Sequence, residues 1–152
     1  MENWKNLSKN SPYEISDLGR CRKNGKLKKI TKFSNGYSYT RIHCRLKPVH
    51  ALVLSVFKPN PAPHFFDRVD HINQKRHDNR LVNLRWSNRT LNAFNCEKSR
   101  GYCRHRCGFR AEIQLEKQKI FLGCFATPAQ ARARYLEARR DAMDIHDPFT
   151  IY

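Results

Sequence analysis

The stretch that decides the fold is Val69-Asp70-His71-Ile72-Asn73-Gln74-Lys75-Arg76-His77-Asp78-Asn79-Arg80-Leu81-Val82-Asn83-Leu84-Arg85-Trp86-Ser87-Asn88-Arg89-Thr90-Leu91-Asn92-Ala93-Phe94-Asn95. Arg68 to His71 has the character of a brief strand. Asn73 to Arg80 is too polar for either regular element and reads as a loop. Leu81 to Trp86 reads as a turn leading into a second strand. Ser87 is a candidate N-cap for a helix over Asn88 to Cys96. The order strand, loop, strand, helix places Asp70 and His71 opposite the helix's inner face, which can carry Asn92.

Those residue types suit one chemistry. Hydrolysing a phosphodiester takes an attacking water, an acceptor for its proton, and a cation beside the leaving oxygen. A neutral imidazole accepts a proton near neutral pH, which makes His71 the candidate general base. Asp70 and Asn92 offer hard oxygen ligands, suited to Mg²⁺ or Mn²⁺ rather than a zinc cage. Such an ion stabilises charge on the departing 3′ oxygen. Asn83 reads as the residue that ties the loop together by side-chain bonds to backbone. Singly, each of these residues is as well explained by an ordinary loop; their joint spacing carries the reading.

Upstream, Val49, Leu52, Val53, Val56 and Phe57 recur at helical spacing, with Pro48 at the start and Pro59, Pro61 and Pro63 beyond the end. His50 lies beside that apolar face and reads as a packed or capping histidine rather than a catalytic one. The first segment reads as short strands and turns. Tyr13 to Ser16 is strand-like, Asp17-Leu18-Gly19-Arg20 is a turn, and Asn24-Gly25 and Asn35-Gly36 are strong hairpin signals. Arg20, Arg22, Lys23, Lys26, Lys28 and Lys29 crowd these hairpins. They serve equally as a solvated strand edge or as phosphate contacts.

Downstream, Phe109, Ala111, Ile113 and Leu115 alternate with Arg110, Glu112 and Gln114, the mark of a half-buried strand. Tyr102 to Arg106 pairs before it, across Cys107-Gly108, and Lys119 to Phe125 after it, across Glu116-Lys117-Gln118. Thr127 caps a helix with Pro128 at its first position. Ala131, Tyr135, Ala138 and Ala142 line its packing face.

The chain has 152 residues, with 30 Lys and Arg against 13 Asp and Glu, a formal net charge of +17, and a pI near 10.1. A field of that sign and size draws polyanions, so nucleic acid is the leading partner. The polar start MENWKNLSKN lacks the apolar core of a signal peptide, and the run from Val49 to Phe57 is far too short to cross a bilayer. A soluble, intracellular, reducing setting is expected, with no membrane partner and with the cysteines as thiols. Cys96, Cys103, Cys107 and Cys124, with His105, contain no CxxC pair, and alternation makes some of them small core residues. Structural zinc is therefore disfavoured.

The stretch from Val49 to Asn95 resembles the HNH endonuclease family, in the form found in homing endonucleases and phage or viral relatives. The matching residues are Val49-His50-Ala51-Leu52-Val53, Val69-Asp70-His71-Ile72, Asn79, Asn83-Leu84-Arg85-Trp86 and Asn92. Trp4 with Pro12-Tyr13-Glu14-Ile15-Ser16-Asp17-Leu18-Gly19-Arg20 resembles the modular motif that often precedes this nuclease. The tail is similar to the plant ethylene-response-factor DNA-binding domain, through Gly101-Tyr102, Phe109-Arg110-Ala111-Glu112-Ile113, Leu122-Gly123-Cys124-Phe125 and the alanine-rich helix.

The resemblance implies an α+β chain: a β-rich module over 1–48, a ββα-metal nuclease core over 49–98, and a three-stranded antiparallel sheet packed on one helix over 99–152. It implies His71 as general base, Asp70 and Asn92 on one Mg²⁺ or Mn²⁺ ion, and Asn83 as the loop-ordering member of the catalytic set. Asn92 stands where the family name promises a closing His, which leaves His77 and Asn88 as fallback ligands. The tail sheet is implied to lie in the major groove. Period two puts Arg104 and Arg106 on one face of their strand, and Arg110 and Glu112 on one face of theirs. Arginine can grip guanine there and Glu112 can accept from cytosine. Arg85, Arg89 and Lys119 are further expected DNA contacts. The expectation is a double-stranded-DNA endonuclease, monomeric or weakly dimeric, and fitting a phage- or virus-encoded protein acting in its host. The competing classes are a DNA-binding regulator on a silent nuclease scaffold and, further off, an RNA-binding structural protein.

Overall fold

The computed structural model describes residues 1–95, 99–106, 108–115 and 118–146. The chain divides into two compact units, Met1–Asn88 and Arg89–Tyr152.

The first unit opens with a four-stranded antiparallel sheet in chain order: β1 (Trp4–Asn6), β2 (Tyr13–Ser16), β3 (Cys21–Lys23) and β4 (Lys26–Leu27). Asn24 and Gly25 both take positive φ, 48° and 77°, the conformation that makes an Asn-Gly pair close a two-residue hairpin. β5 (Thr31–Lys32), β6 (Ser38–Ile42) and β7 (Arg45–Pro48) form a second antiparallel sheet. β6 and β7 are joined by His43-Cys44, again at positive φ (43° and 62°). That hairpin carries no glycine, so no turn signal marks it in the sequence.

Helix α1 (Val49–Phe57) follows directly on Pro48. It buries Val49, Val53 and Leu54 completely and packs Leu52, Val56 and Phe57 against the same core. Leu54 lies outside the stripe that helical spacing picks out, because this helix touches strands on several sides rather than resting on one sheet. It meets β1 and β2, β6 and β7, and the hairpin β8 (Arg68–His71) and β9 (Leu84–Ser87). The core is continuous across residue 48, joining Tyr13, Ile15, Cys21 and Ile42 to Val49, Val53, Leu54 and Leu84. The loop between β8 and β9 ends in a short 3₁₀ turn, Leu81–Asn83.

Two of the basic residues considered for phosphate contact are engaged within the first sheet. Arg22 gives two hydrogen bonds to Glu14 on the neighbouring strand, at 2.6 and 2.7 Å, and stacks over Trp4 at 4.3 Å. Arg20 pairs with Glu2.

In the second unit, α2 (Arg89–Phe94) precedes the antiparallel sheet β10 (Tyr102–His105), β11 (Gly108–Leu115) and β12 (Gln118–Phe125), and helix α3 (Pro128–His146) closes it. Ala111 and Ile113 on β11 are buried, as are Ala131, Tyr135 and Ala142 on α3, which packs on all three strands. Thr127 caps α3: Gln130 N donates to Thr127 Oγ1, and Thr127 N donates to Gln130 Oε1, both at 3.3 Å. This reciprocal pair satisfies two donors left over at the helix start.

Two expectations need correction. Ser87 is not the N-cap of α2: it is the buried last residue of β9, its hydroxyl donates to Asn88 O at 3.2 Å, and the helix begins one residue later, at Arg89. Cys103 and Cys124 are exposed rather than core residues, since they share a sheet face with Arg110, opposite Ala111. The register also pairs Arg104 with Phe109 and Cys103 with Arg110, so Arg104 and Arg110 point to opposite faces of the sheet. Cys96, Cys107 and the Glu116-Lys117 turn lie outside the described residues.

Candidate active site

The β8–β9 hairpin positions the two central residues. Its register sets Asp70 across from Arg85 and His71 across from Leu84. Neighbours on a strand face opposite ways, and their surroundings differ accordingly. Asp70 is buried, and its Oδ2 accepts from Arg85 Nε at 3.0 Å and Nη2 at 2.8 Å. His71, equally buried, meets Asn79, Tyr37 and His50. Its Nε2 lies 3.4 Å from Asn79 Oδ1, and its ring centroid is 5.9 Å from Tyr37 and 5.2 Å from His50. Tyr37 and His50 are themselves 5.2 Å apart, and the Arg76 guanidinium covers Tyr37 at 5.1 Å.

Burial pushes the His71 imidazole below its ordinary pKa; the Asn79 contact and the charges of Asp70 and Asp78 pull the other way without reversing it. His50 is driven further, to about 4, by burial and by the adjacent His71. Its Nδ1 is buried and has no hydrogen-bond partner among the described residues. Both imidazoles therefore favour the neutral form at neutral pH, the form that accepts a proton.

The loop between the strands is ordered by its asparagines. Asn83 is buried: its Oδ1 accepts from Asn73 N at 2.9 Å, its Nδ2 donates to Asp78 O at 2.8 Å, and its carbonyl accepts from Ile72 N at 2.9 Å. Asn73 Nδ2 donates to Asp78 Oδ2, and Arg80 grips Asp78 through Nε and Nη2. Arg80 and Asn73 together hold the Asp78 carboxyl far below the usual range. Gln74, at φ 61°, makes the reversal at the loop's head.

The remaining residues singled out from the sequence are placed as follows. His77 is exposed on the loop. Arg85 is engaged by Asp70. Asn92 and Arg89 are exposed on α2, and Arg104, Arg106 and Lys119 are exposed in the second unit. Arg110 Nη2 pairs with Glu112 Oε1 at 2.5 Å and its guanidinium lies over Phe121 at 5.0 Å, so the two residues assigned to base edges hold each other. The sequence reading gave no role to Asn79 or Tyr37, whose approach to His71 depends on long-range folding. Asn79 stood in the matched motif, and that was the one available signal.

Among the described residues no group of three or more His, Cys, Asp and Glu side chains is placed to hold a metal. A hard divalent ion needs no such group, since it keeps several waters and takes one or two carboxylates. Asp70 supplies one such carboxylate, with Arg85 already bonded to its Oδ2. Among the described residues no helix is long and apolar enough to cross a membrane.

The fold of this chain is similar to a solved structure described as "DNA binding and cleavage by the HNH homing endonuclease I-HmuI", at 26% identity and a TM-score of 0.53, over 61% of this chain. The fold is HNH-nuclease-like. The match spans 56% of that neighbour, less than two thirds of its length. No protein-family model matches the chain, and no curated protein matches it.

Proposed function

We propose that this chain is a metal-dependent endonuclease that binds double-stranded DNA with sequence selectivity and hydrolyses its phosphodiester bonds. The observation that carries the reading is His71: a buried imidazole, held neutral by its surroundings and oriented by Asn79, on an HNH-like hairpin one residue from Asp70. In this reading His71 is the general base and takes the proton of the attacking water. Asp70 and Asn92 would hold one Mg²⁺ or Mn²⁺, which when bound supplies charge neutralisation at the departing 3′ oxygen. In-line displacement puts the attacking water and the leaving oxygen on opposite sides of phosphorus, so the base and the ligand carboxylate need not touch each other. Asn83 fixes the loop that follows His71. The excess of basic side chains attracts the duplex, and Arg104, Arg106, Arg110, Glu112, Lys119, Arg85 and Arg89 are the assigned contacts.

One hydrolytic centre per chain nicks one strand, so a double-strand break takes a dimer or two successive events. Substituting His71→Ala should abolish Mg²⁺- or Mn²⁺-dependent cleavage of supercoiled plasmid while DNA binding survives. Undiminished cleavage would end the reading.

A second reading, a DNA-binding regulator on a nuclease scaffold, is favoured by the Asp70–Arg85 ion pair, which engages the carboxylate assigned to the cation. Wild-type protein that binds a selected site yet fails to nick it with every divalent ion supplied would decide for the regulator.

A further inference from the structure

Behind His71 stands Asn79, a buried asparagine whose amide is oriented at both ends. Its Nδ2 donates to His77 O at 3.1 Å, which turns Oδ1 toward His71 Nε2 at 3.4 Å. An amide oxygen can only accept, so this contact is a hydrogen bond only when Nε2 carries the proton. In a neutral imidazole the lone pair is then on Nδ1.

The seat of Asn79 is made by a turn distant in sequence, Asp17 to Arg20 in the first sheet. Gly19 has φ +79°, and a Cβ built on it would fall 2.8 Å from Asn79 Cβ and 3.0 Å from Asn79 O. Any other residue there would have to displace Asn79 besides adopting a left-handed backbone. Two residues further on, Leu81 N donates to Asp17 O at 2.7 Å. The turn therefore grips the loop at residues 79 and 81.

We propose that Asn79, clamped by the Gly19 turn, is a positioning residue that fixes His71 as the Nε2–H tautomer, leaving Nδ1 as its proton-accepting atom. The N-terminal sheet thereby sets the state of the base. Only the catalytic consequence rests on the nuclease reading; the tautomer is a property of the folded chain.

The test is NMR of the full chain carrying ¹⁵N-labelled histidine, in which the ring-nitrogen shifts and couplings of neutral His71 report its tautomer directly. Wild type should show the Nε2–H form alone. Asn79→Ala should show a mixture, with a kcat for DNA cleavage lower by about 10- to 100-fold, the range found when a partner orienting a functional imidazole is removed, and an unchanged KM. Asn79→Asp, which keeps an acceptor oxygen, should retain the Nε2–H form. Gly19→Ala should shift the His71 signals toward those of Asn79→Ala without altering any loop residue. A wild-type Nδ1–H signal, or an Asn79→Ala spectrum identical to wild type, overturns the proposal. If the tautomer responds as stated but wild type cleaves no DNA with Mg²⁺ or Mn²⁺, the nuclease reading fails and the role of Asn79 stands.

Discussion

Arg85 gives both Nε and Nη2 to one oxygen of Asp70, Oδ2, at 3.0 and 2.8 Å across the β8–β9 hairpin. The guanidinium and a divalent cation would therefore draw on the same buried carboxylate. Replacing Arg85 by Met removes the competitor and leaves the carboxylate without it. In chelator the variant should be less stable than wild type by about 3–5 kcal/mol, the cost of leaving a buried carboxylate without its ion-pair partner. Added Mn²⁺ should then raise the melting temperature of Arg85→Met more than that of wild type, because a ligand that binds only the folded state stabilises it. Equal Mn²⁺ responses in melts of the two proteins would mean that Asp70 does not hold the ion.

The His50–His71 pair makes stability sensitive to acid. The folded-state pKa of His50 lies at about 4, below the ordinary 6.5 of an unfolded chain, because of burial and the neighbouring imidazole. The unfolded state therefore takes up a proton first as pH falls. The stability that neutral His50 contributes is fully present above about pH 6.5 and is lost progressively as pH falls toward 4, by up to about 3 kcal/mol. His71 is shifted in the same direction and adds to the loss. Chemical denaturation at pH 7.5, 6 and 5 should show the decline, and His50→Phe, which has no proton to bind, should flatten it. A variant with the same slope as wild type would show that His50 is not the group responsible.

The hairpin that carries the candidate site and the helix that closes the second unit were readable because they depend on local chemistry. The polar run Asn73 to Arg80 had to be a loop, the Asn-Gly pairs had to turn, and Thr127-Pro128 had to open a helix. Two things were hidden. Which side chains meet His71 depends on Gly19, Tyr37 and His50, each brought in from another element, and no periodicity encodes such an approach. The faces of the tail strands were hidden by register: alternation within β10 and within β11 was legible, yet the pairing of Arg104 with Phe109, which puts Arg104 and Arg110 on opposite faces, is fixed only when the strands align. Leu54 was missed for a related reason, since a helix packed on several sides buries more than one stripe.

Asn83 bridges the start and end of the β8–β9 loop with two side-chain bonds to backbone, at Asn73 N and Asp78 O. Asn83→Ala would remove two part-buried hydrogen bonds together, at a cost of about 1–3 kcal/mol. The Asn73 amide should exchange with deuterium markedly faster in the variant, while amides of β2 and β6 keep their protection relative to the lowered global stability. Unchanged exchange at Asn73 would remove Asn83 from the role of ordering the loop.

Because Arg104 and Arg110 project from opposite faces of the β10–β11–β12 sheet, they cannot read the same groove through the same surface. Arg110 shares its face with Glu112, Phe121 and Lys119, where an ion pair and a ring stack hold the guanidinium in a defined orientation suited to a base edge. Arg104 is exposed and, among the described residues, makes no ion pair, which suits a phosphate. Arg110→Ala should lower affinity for a site selected from random DNA while leaving affinity for unrelated DNA nearly unchanged. Arg104→Ala should weaken both equally and reduce the slope of log K against log salt by about 1. Anisotropy titrations at several salt concentrations separate the two behaviours. If both variants reduce the selectivity ratio alike, the two arginines act on one surface, and the sheet does not read DNA through the face that carries Arg110.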